Sequence, residues 1–99
     1  MAKMVMGHVV PLSLREVLIM TREYADLVHV HAKGDGNAEL FFLENPAKPF
    51  QERRYLLTRT GVPVEDQPRE GKQPLKYAYV ATICSLDGAE SWQLFERSG

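Results

Sequence analysis

The chain has 99 residues, 12 basic against 13 acidic side chains, a net charge of −1 and a hydrophobic fraction of 44%. Those totals describe one ordinary globular domain, 1–99, with room for a real but modest core. They argue against a dedicated duplex-DNA binder, which carries a basic excess. A single cysteine, Cys84, excludes an internal disulfide and any zinc site built on three or four cysteines.

Residues 4–10 read as a first strand, stopped by Pro11. Ser13 and Glu16 have capping-box spacing, and Leu14, Val17, Leu18, Thr21, Tyr24 and Ala25 follow at helical intervals. The expectation is one helix over 13–25, covering a sheet face through Leu14, Val17, Leu18 and Tyr24. Val17-Leu-Ile-Met20 is also an apolar run of strand type, so a strand competes with it.

A hairpin follows. Residues 26–32 and 38–44 flank Lys33-Gly-Asp-Gly-Asn37, whose glycines suit a turn. Pairing Ala32 with Ala38 sets Val30 against Leu40 and Val28 against Phe42 on an apolar side. On the other side His31 faces Glu39, His29 faces Phe41 and Leu27 faces Leu43. A proline-interrupted connection, 45–52, leads to a strand over 53–60. Residues 61–74 hold three prolines and two glycines and read as a mobile loop. The last hairpin turns at Asp87-Gly88. It pairs Ile83 with Trp92, Ala81 with Leu94 and Tyr79 with Glu96, with Tyr77, Tyr79 and Trp92 on one face as a small aromatic core.

The expected fold is therefore a single α+β domain: about six mostly antiparallel strands with one N-terminal helix. The alternative, if 13–25 is a strand, is an all-β small barrel or sandwich.

Three groups of residues carry chemistry. His29 and His31 lie on one side of a strand, and Glu39 stands opposite His31. Two imidazoles and a carboxylate are the donors of a known iron arrangement, so this group suits a metal-dependent or small-ligand enzyme. His8 joins it if its strand is a neighbour. The bland reading is half-exposed histidines on a solvated face. Arg53, Arg54, Tyr55 and Arg59 suit an anion or single-stranded nucleic acid, by bidentate contacts and stacking. The bland reading there is a charged edge strand. Leu27, Phe41, Leu43, Val80 and Phe95 are apolar positions on the second faces of the hairpins. One helix cannot cover them, and a homodimer would.

No motif specifies a reaction. The leading expectation is a non-catalytic, self-associating interaction module. It calls for no cofactor, pairs as a homodimer or with an unidentified protein, uses neither membrane nor nucleic acid, and works in the cytoplasm. The lone cysteine and the lack of an apolar leader motivate that location.

Overall fold

The computed structural model describes residues 2–98. It contains seven strands and, among the described residues, no helix. They are β1 (Met4–Pro11), β2 (Glu16–Arg22), β3 (Asp26–Ala32), β4 (Asn37–Glu44), β5 (Phe50–Arg59), β6 (Lys76–Cys84) and β7 (Ser91–Ser98). The expected α+β fold with a helix over 13–25 is thus incorrect, and the all-β alternative fits. No helix of the described residues is long and apolar enough to cross a membrane.

The segment read as a helix is β2. Its buried residues are Val17, Ile19 and Thr21, at strand spacing. All three are β-branched, which disfavours a helix and suits a pleated strand. They stand opposite Tyr55, Arg53 and Gln51 of β5. Leu14, Leu18 and Tyr24, assigned to the helix's buried face, are exposed. The chain turns out of β2 at Tyr24, a non-glycine residue with φ at +60°.

The strands form a three-stranded sheet, β1-β4-β3, and a four-stranded sheet, β2-β5-β7-β6. Every pairing is antiparallel. The sheets face each other, with Phe42 of β4 and Tyr55 of β5 meeting at 6.3 Å between ring centroids. The core is Leu40 and Phe42 from the first sheet and Val17, Ile19, Leu57, Ile83, Trp92 and Leu94 from the second. Each such side chain, fully buried, contributes roughly 1.5–3 kcal/mol.

Both hairpins keep the expected register near their turns. Ala32 pairs with Ala38, Val30 with Leu40, His31 with Glu39 and His29 with Phe41. Ile83 pairs with Trp92 and Ala81 with Leu94. Farther from the turns, each register shifts at a bulge. In β3 the irregularity falls between Leu27 and His29, so Leu27, not Val28, stands opposite Phe42. In β6 it falls between Tyr79 and Ala81, so Tyr79 pairs with Phe95 rather than Glu96. A bulge inserts a residue and reverses the faces beyond it. Leu27 and Val80 accordingly pack against the core, while Val28 and Tyr79 are exposed.

Residues 63–68 lie beside Leu56 and Tyr77, on the outer side of the second sheet. Gln67 and Leu75 exchange backbone hydrogen bonds at 2.8 Å, and Asp66 accepts from the Tyr77 N–H at 3.3 Å. Pro63, Val64 and Pro68 share a cleft with Leu56, which is buried on the outer face of β5.

Candidate interaction edge

A two-sheet sandwich leaves four edge strands, here β1 and β3 in one sheet and β2 and β6 in the other. An edge exposes unpaired backbone N–H and C=O groups, and proteins blunt it with bulges, charges or a covering element. β3 and β6 each carry a bulge and lie beside one another. β2 is bracketed by Arg15, Glu16, Arg22 and Glu23.

β1 has no bulge and no charge of its own; Lys3 precedes it and Pro11 ends it. From Met4 to Pro11 it contains no Lys, Arg, Asp or Glu. Among the described residues, its only strand partner is β4. Its one titratable side chain, His8, is turned inward, where Nε2 lies 2.9 Å from the Glu44 carboxylate. Glu44 is buried and also accepts the Arg22 N–H at 2.8 Å. That pairing answers the cost of a carboxylate at a core-facing position of β4. Met4, Val5, Met6 and Val9 are exposed. A cleft of about 510 Å³ separates β1 from β2, with Leu14, Leu18 and Met20 on its far side. The open flank of the sandwich thus sets exposed apolar side chains, with Glu16 among them, beside a free strand.

The residues expected from the sequence to form sites are distributed as follows. His29 and His31 lie on the outer face of the first sheet, tilted against Phe41 at 5.9 and 5.5 Å between centroids. His31 Nε2 is 3.7 Å from Glu39 Oε1. His8 faces the other side of that sheet, and β4 separates its strand from β3. Among the described residues, no group of three or more His, Cys, Asp or Glu is arranged to hold a metal ion.

Strand alternation divides the arginine group. Arg53 faces inward and holds Glu96 by two hydrogen bonds, 3.0 Å from Nε and 2.9 Å from Nη2, while Nη1 donates to the Ala25 carbonyl at 2.6 Å. Its guanidinium also lies 5.2 Å from the Phe42 ring. Burial alone would lower its pKa, but the Glu96 contacts raise it. Tyr55 is 2% exposed, and its hydroxyl has no hydrogen-bond partner among the described residues. Burial pushes its phenol well above the ordinary 10.0, against the opposing charge of Arg53. Arg54 is on the outer face, 3.4 Å from Glu52. Arg59 is exposed and pairs with Glu90 at 3.0 Å. The four do not share one surface, and each arginine meets a carboxylate.

Of the apolar positions, Phe41 and Leu43 are half-buried on the outer face of the first sheet. Phe95 is half-buried on the outer face of the second sheet, edge-on to Tyr79 at 6.0 Å. Leu27 and Val80 point to the core. The residues that sequence reasoning missed are Met4, Val5, Met6 and Val9. Their signal was an apolar strand without charge or alternation. Comparison with protein-family models, curated proteins and solved structures finds no match to this chain.

Proposed function

We propose that this chain is a small non-catalytic interaction module that associates with copies of itself in the cytoplasm. The observation that carries the reading is β1, an uncharged edge strand without a bulge, beside exposed apolar side chains. Overall dimensions support it. A folded monomer of this mass exposes about 5,700 Å² by the usual scaling, whereas this chain exposes 6319 Å². Its radius of gyration is 14.4 Å, against about 13 Å for a compact chain of this length.

Native mass spectrometry of the untagged protein, purified without chelators and diluted from millimolar to micromolar, tests the proposal. The expected result is a metal-free dimer that dissociates on dilution. A strict monomer at every concentration refutes self-association. A stoichiometric metal or small ligand refutes the non-catalytic reading and directs attention to His29, His31 and Glu39.

A further inference from the structure

We infer that β1 pairs antiparallel with β1 of a second copy, about a two-fold axis at Gly7. The two three-stranded sheets then become one continuous sheet of six. This inference rests on the self-association reading and names its surface and register.

The choice of strand follows from the edges. Bulges interrupt β3 and β6, and charges bracket β2. Only β1 is long, regular and uncharged, eight residues from Met4 to Pro11. Like charges facing across a two-fold axis would oppose pairing, and β1 has none to face.

The register follows from symmetry. A two-fold axis perpendicular to a sheet carries the outer face onto the outer face. Facing residues in an antiparallel pair point to the same side, so the axis passes through a residue position, not between positions. Three placements keep most of the strand paired. An axis at Met6 sets Lys3 against Val9 of the second copy, placing an ammonium on a valine. An axis at His8 sets the two His8 residues against each other and wastes a pairing on Pro11, which has no N–H. An axis at Gly7 sets Val5 against Val9 of the second copy, Met4 against Val10 and Met6 against His8. No formal charge lies between Met4 and Val10 in that register.

Gly7 also suits the centre. Its open face is occupied by Phe41, whose Cε1 would lie 3.1 Å from an added Cβ, and by the Glu39 carboxylate. With two Gly7 residues side by side, the two Phe41 rings and the two Glu39 carboxylates flank the axis, each carboxylate 3.7 Å from His31 Nε2 of its own chain, and a protonated His31 would offset the repulsion between them. Val5 and Val9 of both copies lie on either side of that centre on the outer face, where those valines are 57% and 51% exposed in the single chain.

The test is disulfide trapping in full-length protein carrying Cys84→Ser, which removes the exposed native thiol. Val5→Cys and Val9→Cys are made separately. Facing Cα atoms in an antiparallel pair are about 4.5–5.5 Å apart, within the span a disulfide bridges. Two copies of residue 5 are offset by about 13 Å along the strands. Oxidation is expected to trap the mixture of the two variants at least tenfold better than either alone. In sedimentation equilibrium, Val9→Lys should raise the dissociation constant at least tenfold. Val28→Lys, equally exposed on the bulged β3, should leave it unchanged. Unchanged melting of the monomer verifies that neither lysine unfolds the chain. A dimer that survives Val9→Lys and gives no preferential 5-to-9 bridge overturns this pairing while leaving self-association intact. A wild-type chain that stays monomeric overturns both.

Discussion

Replacing Tyr55 with Phe removes only a hydroxyl, yet it should change both the stability of this protein and its response to alkali. The side chain is 2% exposed, and the hydroxyl lacks a hydrogen-bond partner among the described residues. A buried polar group without a partner costs about 1–3 kcal/mol, and deleting it recovers part of that. The Arg53 guanidinium, 5.9 Å from the ring, offsets some of the cost, so the expected gain is about 1 kcal/mol. For a domain of this size that raises the melting temperature by roughly 4–8 °C. The pH dependence has a definite sign. Burial raises the folded phenol above its ordinary 10.0, so the native state holds the proton after the unfolded chain has lost it. The stability contribution is complete below pH 10.0 and falls as pH rises beyond it, by up to about 1.4 kcal/mol per pH unit. Tyr55→Phe should lack that component. The remaining tyrosines and lysines are common to both proteins, so the difference between their alkaline melting curves isolates Tyr55. A variant less stable than wild type at neutral pH, with the same alkaline slope, would refute the assignment of an unpartnered buried phenol.

Three further outcomes follow from the geometry. Leu27→Thr should cost about 1–3 kcal/mol, while Val28→Thr stays within about 0.5 kcal/mol; urea melts showing the reverse order would disprove the β3 bulge. Arg53→Leu should destabilise by about 1–3 kcal/mol, because it leaves Glu96 and the Ala25 carbonyl without their donor. The lower half of that range is expected, since water reaches Glu96, and a neutral result would contradict a structural role for the pair. Asp87 accepts from the Ser85 hydroxyl at 2.6 Å and the Ala89 N–H at 3.0 Å, contacts that hold its carboxyl below the ordinary 3.8. Its contribution is therefore present above pH 3.8 and lost as pH falls through the lower folded value. Asp87→Ala should melt earlier than wild type at neutral pH and coincide with it in strong acid; a gap that persists in acid would sink the assignment.

The interaction edge was only half legible beforehand. Regular alternation along both hairpins predicts Leu27, Phe41, Leu43, Val80 and Phe95 as contact positions. Bulges turned Leu27 and Val80 into the core, leaving Phe41, Leu43 and Phe95 on the outer faces of two different sheets. The strand that carries the exposed apolar surface, β1, was recognised as a strand. Its status as an edge depended on which strands became its neighbours. The arginine group dispersed for a similar reason. Arg53 and Arg54 are adjacent in sequence, but a strand sends them to opposite faces, where Glu96 and Glu52 await them.

What the sequence determined by itself was local. The turn residues of Lys33–Asn37 and Ser85–Glu90, with the alternation beside them, specified both hairpins and their registers within a few residues of each turn. A short turn leaves few alternatives, and a one-residue slip would expose a whole apolar face. What only the tertiary structure decided was non-local. Residues 13–25 satisfy both a helical and an extended pattern. The balance is tipped by the backbone hydrogen bonds of β5, which place Val17, Ile19 and Thr21 against Tyr55, Arg53 and Gln51. The bulges in β3 and β6 likewise fall on two edges that the fold sets beside each other. Periodicity reports which face of a segment is apolar; the partner that buries the face selects the conformation that presents it.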